Sequence, residues 1–424
     1  MGEMDEKGVD AAVRPPGCVR CGQCMSVCPV YGATRREEDV ARGRLALLKW
    51  AGAEPERTRE ALFRCLLCGA CQSVCAARVP ATEEFLAARR TAREHGVTAS
   101  VKARLELAAL TRNDRAGDLM RRGGRLLAAL LSGEIPETSG LLLRFPASFF
   151  AGRPVIPAIA ARSFLDSAAA PSPGDARRVG FFVGCGANHI FTGAASALQN
   201  LAGKCGASIF APRDQGCCGL PALAAGDFEA ARNLARRNVA AFADAPLAAL
   251  VTVCASCGHQ VLSWPGLLGE GDPLYPKALA LARLHRDAAS WLLAETRLPA
   301  LLSAARKPPV NVYYHAPCHL RFGSGADEGP LRLLAAAAPS VRLVEPGVAA
   351  SCCGHGGSFN AKHHELSMEI FAPYGQKVLA ERPDLVVTGC TGCLLQFTEG
   401  VYALGKSGET GVCHPLELMG RLLN

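Results

Sequence analysis

The stretch CVRCGQCMSVCP, residues 18–29, sets four cysteines at intervals of three, three and four and closes on a proline; CLLCGACQSVCA, residues 65–76, nearly repeats it. CxxCxxC lets three thiolates on one short loop wrap three irons of a cubane, and small Gly22 lets the backbone come close. In bacterial two-cluster ferredoxins the fourth cysteine of such a run ligates the other cluster. The spacing therefore predicts Cys18, Cys21, Cys24 and Cys75 on one [4Fe-4S] cluster, and Cys65, Cys68, Cys71 and Cys28 on a second. Zinc ribbons would need CxxC pairs instead. Ala76 rather than proline follows Cys75, which removes a rigid turn but no ligand.

The chain has 424 residues, 49% hydrophobic and 20% charged, enough to bury large cores in two or more domains. Its twenty cysteines come in CxxC and CC clusters, and MGEMDEKGVDAAVRPPG at the start has no apolar signal region. Metal binding in a reducing, cytoplasmic setting is the expected use of the cysteines, not a disulfide scaffold. The most apolar stretch, residues 140–161, is cut by Arg144, Arg153 and several prolines, so no span of the required ~18 apolar residues is expected. Peripheral attachment at the cytoplasmic face of the inner membrane stays open. Between Arg89 and Arg125 ten Lys/Arg stand against four Asp/Glu: a solvated helical face, or a docking surface for an acidic partner or an anionic membrane. No aromatic residues interleave these charges, so nucleic acid is not an expected partner.

Eight cysteines lie between residues 18 and 75, none between 76 and 184, and twelve from 185 to 413. This sets out residues 1–90 as a two-cluster domain, 91–175 as a helical segment and linker, 176–300 as a first repeat domain and 301–424 as a second. Helical patterning fills 101–120 and 121–135, and DSAAAPSPGDARR (166–178) reads as the linker. The repeat is the order C, CCG, CxxC, twice. Cys185, Cys217, Cys218, Cys254 and Cys257 are answered by Cys318, Cys352, Cys353, Cys390 and Cys393. The gaps are 31 and 34 residues in the first copy, 33 and 35 in the second. VGFFVGC, LAALVTVC and LVVTGC each end a strand-like run on a cysteine, with helical segments such as 227–244 and 365–382 between, so alternating β and α is expected. In open α/β sheets ligands sit outside the carboxyl ends of strands, where these cysteines stand.

Adjacent residues on a strand point to opposite faces, so each CC pair must lie on an irregular turn, for which Gly219 and Gly354 supply the freedom. Five thiolates overfill a tetrahedral zinc ion, which favours a larger iron–sulfur assembly; zinc at one repeat and metal-free thiols remain alternatives. Cys205 and Cys413 fall outside both patterns as ordinary thiols. His315, His319 and His355 lie near cysteines of the second set, as hydrogen-bond donors to sulfur or packed rings rather than ligands. There is no GxGxxG, Walker A or Ser/His/Asp arrangement. The 36 residues between Cys28 and Cys65 include the helical EDVARGRLALLKW, which makes the first domain resemble the helical ferredoxin module of succinate dehydrogenase and heterodisulfide reductase subunits.

The paired ferredoxin motifs, DVARGRLALLK between them and the duplicated C…CCG…CxxC pattern resemble the iron–sulfur subunit of glycolate oxidase and its relatives in lactate utilisation. The second half is also similar to the CCG-repeat subunit of heterodisulfide reductase, and the whole layout to the fused form of that reductase. The resemblance implies a helical two-[4Fe-4S] ferredoxin domain followed by two tandem α/β CCG-repeat domains. Each complete five-cysteine set would then hold a noncubane [4Fe-4S] cluster, giving one or two beyond the two cubanes. It implies an electron-transfer subunit with no catalytic residue of its own. A partner carrying FAD oxidises a 2-hydroxy acid, glycolate or D-lactate, and this chain relays single electrons to a quinone or another carrier. Reduction of a disulfide at a noncubane cluster is the alternative it carries.

Overall fold

Gly22 and Gly69 adopt left-handed backbone, φ +85° and +81°, and open the helices Gln23–Val27 and Ala70–Ser73, so each CxxCxxC loop turns into a helix just past its second cysteine. In the computed structural model, residues 17–49, 55–94, 123, 132–134, 140–143, 155–167, 178–323, 329–347 and 351–424 are described. Pro29 begins the helix Pro29–Thr34, where its fixed φ suits a first turn. The segment expected to be helical between the motifs is a short 3₁₀ turn, Glu37–Asp39, and the helix Ala41–Leu48. Leu45, Leu48, Leu62 and Phe85 form the core of this module, with cysteines of both motifs packed against it.

The segment 101–120, the basic residues beyond 94 and the linker between 168 and 177 lie outside the described residues. Within 91–175 the helical expectation fails at its end: β1 (Ser132–Glu134), β2 (Gly140–Leu143) and β3 (Val155–Pro157) form an antiparallel sheet. Gly133 costs a helix about 1 kcal/mol relative to alanine, and pairing with β2 satisfies its backbone instead.

The second half is two copies of one parallel sheet. β4 (Arg178–Phe182), β5 (Ser208–Phe210), β6 (Ala249–Thr252) and β7 (His285–Asp287) are ordered β5-β4-β6-β7. β8 (Val310–Tyr314), β9 (Val341–Leu343), β10 (Leu385–Val387) and β11 (Gly411–Cys413) are ordered β9-β8-β10-β11, the same plan. All four residues of β6 are buried, as expected of a parallel strand covered on both faces.

The copies share one core. Phe181, Leu198 and Val251 of the first pack with Val312, Val387 and Met419 of the second. Their helices cross over reciprocally: Thr192–Lys204 of the first packs on Pro415–Leu423 of the second, and Ala288–Glu295 packs on Gly329–Ala337. The opposite faces of the sheets share a second core, with Phe182, Trp264, Phe371 and Phe397 around the cysteines. The amino-terminal module docks on both copies. Val30 and Leu66 bury against Phe359 and Ile370 of the second, while the helix Ala81–Glu94 meets Leu220–Ala224 of the first.

Candidate metal centres

Two neighbouring cavities occupy the amino-terminal module. Cys18, Cys21, Cys24 and Cys75 line the first, and Cys28, Cys65, Cys68 and Cys71 line the second, with Cys71 also reaching the first. Cys28 thus stands with the later motif and Cys75 with the earlier one. Backbone amides point at sulfur: Leu67 N–H donates to Cys65 Sγ and Val79 N–H to Cys75 Sγ, each at 3.4 Å. Burial pushes the Cys28 thiol up to about 11, opposed by the nearby Arg44 guanidinium, and pushes Cys71 higher still. A buried site that disfavours bare thiolates, yet gathers four sulfurs on Gly-bent loops, suits a cationic iron–sulfur group.

A buried polar frame holds these loops. Arg44 donates to Ala61 O (2.7 Å) and Asp39 O (2.6 Å), and Arg64 Nε donates to Asp39 Oδ1 at 2.8 Å. Arg89, 3% exposed, donates to Leu62 O, Cys65 O and Ala224 O at 2.6 to 2.7 Å and lies over the Phe63 ring. It ties the second motif to the first repeat. Burial lowers its guanidinium from 12.5 to about 10.

In the repeats, Gly219 and Gly354 take φ +96° and +91°, turning the chain directly after each CC pair. Asn238 clamps the first turn, accepting from Gly216 N–H and donating to Cys217 O, both at 2.8 Å. Ser367 holds the second by donating to Gly354 O at 2.8 Å. Cys254 and Cys390 end the loops after β6 and β10 and cap the helices Ala255–Leu268 and Thr391–Ala403, so Cys257 and Cys393 sit in the first turn of each.

Each five-cysteine set converges. Cys185 meets Cys217, Cys218 meets Cys217 and Cys257, and Cys257 meets Cys254. In the second set Cys318 meets Cys352, Cys352 meets Cys353, and Cys393 lies 3.4 Å from Cys353 and in reach of Cys390. None of the twenty cysteines is paired in a disulfide. The sets also touch one another: Cys254 Sγ and Cys390 Sγ are 3.8 Å apart, and Cys68 of the amino-terminal module meets Cys352. Cys205 accepts from Thr296 (3.4 Å) and Cys413 is buried in β11, both apart from the four sets.

His319 Nδ1 pairs with Ser256 Oγ at 2.8 Å, and its ring stacks on His259 at 4.9 Å; it also meets the Leu67 backbone, so it stands where three sets adjoin. His355 lies half-buried beside Gly392. His315 is fully buried with its Nδ1 3.0 Å from Tyr374 Oη, and burial pushes it down to about 3. Arg89, Asn238, Ser367, His259 and Tyr374 are not signalled by cysteine spacing; among the framing residues only Arg44 sits in a quotable motif, ARGR.

The cysteine-rich domain called CCG matches residues 179–261 and 312–398, and the 4Fe-4S dicluster domain matches 16–79. The chain is similar to a probable glycolate oxidase iron–sulfur subunit of Bacillus subtilis, 29% identical over 95% of this chain and 92% of that one. It is 26% identical to one subunit of the fumarate reductase (CoM/CoB) of Methanothermobacter marburgensis, over 95% of this chain and 71% of that one. Lactate utilization protein A of Geobacillus thermodenitrificans matches at 28% over 54% of this chain and 93% of its own. A crystal structure of a hypothetical protein from Helicobacter pylori shares the fold, with TM-score 0.52 at 8% identity, over 95% of this chain and 71% of that one.

Proposed function

Because the chain belongs to the CCG-repeat iron–sulfur proteins with an amino-terminal dicluster domain, the family of the glycolate oxidase iron–sulfur subunits and lactate utilization proteins, we propose that it is the electron-relay subunit of a flavin-dependent 2-hydroxy-acid dehydrogenase. A partner's FAD oxidises glycolate or D-lactate, and single electrons pass through this chain to a quinone or another carrier. We take residues 1–90 as the dicluster unit, 91–175 as the connecting segment, and 176–300 and 301–424 as the two repeats. Cys18, Cys21, Cys24 and Cys75 would hold one cubane, and Cys28, Cys65, Cys68 and Cys71 the other. Each five-cysteine set would hold a noncubane cluster, whose chemistry when bound is the uptake and release of single electrons.

The observation that carries this reading is the unbroken line of thiol contacts. Cys71 borders both amino-terminal cavities, Cys68 meets Cys352, and Cys390 meets Cys254. Four ligand sets are thereby strung in one order, from the exposed Cys21 loop to the first CCG set. The protein's own contribution is to fix that spacing and to exclude water: eight of the ten CCG cysteines are buried. Among the described residues no helix is long and apolar enough to cross a membrane, so a quinone acceptor would be met at a surface or through another subunit.

Anaerobic reconstitution tests the reading. Four clusters give about sixteen irons per chain against about eight for two cubanes, and a native preparation should bring down a flavoprotein oxidising a 2-hydroxy acid. A chain that binds stoichiometric zinc in place of CCG iron, or shows no reducible [4Fe-4S] signal by EPR, overturns it. Disulfide reduction is the second reading, supported by the completeness of both five-cysteine sets and by the relative named for CoM and CoB. It predicts that a low-molecular-weight disulfide oxidises the reduced protein; failure of every such disulfide removes it.

A further inference from the structure

The two CCG sites are matched in strands, turn glycines and cysteines, but not in the residue that follows the first strand's apolar run. In the first copy Phe182 closes β4 opposite Thr252, two residues before Cys254. In the second copy Tyr314 pairs with Val387, which places His315 opposite Thr388, two residues before Cys390. Where one site has a phenyl ring against Trp264, the other has an imidazole.

That imidazole is oriented. Its backbone N–H donates to Val387 O at 2.9 Å, and its ring packs on Phe397 at 4.9 Å. Nδ1 lies 3.0 Å from Tyr374 Oη, which in turn bonds Tyr313 Oη. The other nitrogen, Nε2, is buried and has no hydrogen-bond partner among the described residues. A histidine nitrogen and the sulfurs of Cys353 and Cys393 all lie within 4.8 Å of one another. A buried imidazole nitrogen without a partner carries an uncompensated desolvation penalty, which a Lewis acid accepting its lone pair would remove. A ring nitrogen held by a neighbouring group while the other faces thiolates is the arrangement of a metal-bound histidine, whose far N–H is fixed by an acceptor.

We propose that His315 Nε2 is an iron ligand at the second CCG site, with Nδ1–H donated to Tyr374 Oη, so that this site takes a mixed nitrogen and sulfur donor set while the first takes sulfur alone. This rests on a cluster occupying the second set. A neutral nitrogen adds electron density to iron without adding negative charge, so the two sites differ in spectrum and potential despite matching cysteines.

The full-length chain, reconstituted anaerobically and poised to make the second CCG site paramagnetic, is examined by pulsed EPR with natural-abundance and ¹⁵N-histidine protein. The expected result is a strong nitrogen hyperfine coupling of a directly bound imidazole, which changes with the label and disappears in H315F at unchanged iron content. Weak coupling alone, meaning a hydrogen bond to sulfur, overturns the proposal, as does a strong coupling that survives in H315F. If H315F fails to hold iron, Y374F decides: it keeps the imidazole but removes the Nδ1 partner, and an unaltered coupling there also overturns the proposal. Iron content separates the two levels, since wild-type protein lacking iron at the second set refutes the occupancy itself.

Discussion

Arg89→Met replaces the guanidinium at the junction of the second ferredoxin motif and the first repeat with an apolar chain of similar reach. The cation serves three carbonyls, Leu62 O in a buried position and Cys65 O and Ala224 O in part-buried ones. Leu62 O keeps a second donor, Cys65 N–H at 3.2 Å, but Cys65 O and Ala224 O lose theirs, which costs about 1–3 kcal/mol each, about 4 kcal/mol together. Against this stands relief of burying a charge. The guanidinium is lowered from 12.5 to about 10 by desolvation, and at ~1.4 kcal/mol per pH unit its removal returns about 3 kcal/mol. The expected net loss is about 1 kcal/mol. Urea unfolding of anaerobically loaded wild-type and variant chains, followed by the fluorescence of buried Trp264 and Trp291, measures it. No loss, or a gain, would mean that Cys65 O and Ala224 O are reached by water or other donors, and the reasoning fails. The same substitution removes positive charge beside Cys65, so the potential of the adjacent cubane should fall; a rise would contradict the electrostatic assignment.

Gly354→Ala should strip iron from the second CCG set and destabilise the fold by about 1–3 kcal/mol, because a side chain at φ +91° would also place Cβ 2.8 Å from Ser367 O. Gly219→Ala, with Cβ 3.2 Å from Ala231 O, should cost less; iron analysis and melting of the two variants check the order. Cys28→Ser should damage the cubane of Cys65, Cys68 and Cys71 and spare that of Cys18, Cys21 and Cys24; EPR showing selective loss of the latter would refute crossed ligation. Burial holds His285 and His414 down to about 4. The unfolded chain, titrating near ~6.5, therefore takes up protons first, and stability present above pH ~6.5 is lost as pH falls toward 4, about 2 kcal/mol per histidine by pH 5. Thermal unfolding that is flat between pH 7 and 5 would remove these groups as the cause.

Cysteine spacing made most of the site legible because CxxCxxC and CCG are local: ligands a few residues apart report their turn directly. The irregular CC turn followed from strand geometry, and Gly219 and Gly354 do supply the left-handed step. The tandem α/β repeat was readable for the same reason, since strand-like runs ending on cysteine recur at matched spacing. What the spacing leaves open is tertiary. Nothing local places Cys254 beside Cys390 or Cys68 beside Cys352, because those contacts depend on how two sheets and a helical module dock. The antiparallel sheet β1–β3 was missed because leucine-rich segments fit a helical period as well as a strand. Arg89 read as one charge of a basic helix face, whereas helix packing turns it inward among carbonyls.

The crossed packing of Thr192–Lys204 on Pro415–Leu423, and of Ala288–Glu295 on Gly329–Ala337, gives the tandem repeats the mechanics of a dimer whose halves cannot diffuse apart. Their association is intramolecular and so indifferent to dilution. Dissection has a corresponding cost: a chain cut between residues 305 and 309 leaves each half with two helices stripped of their partners. Registration of the two thiol sets thus belongs to polypeptide packing, and incoming metal finds the distance already set.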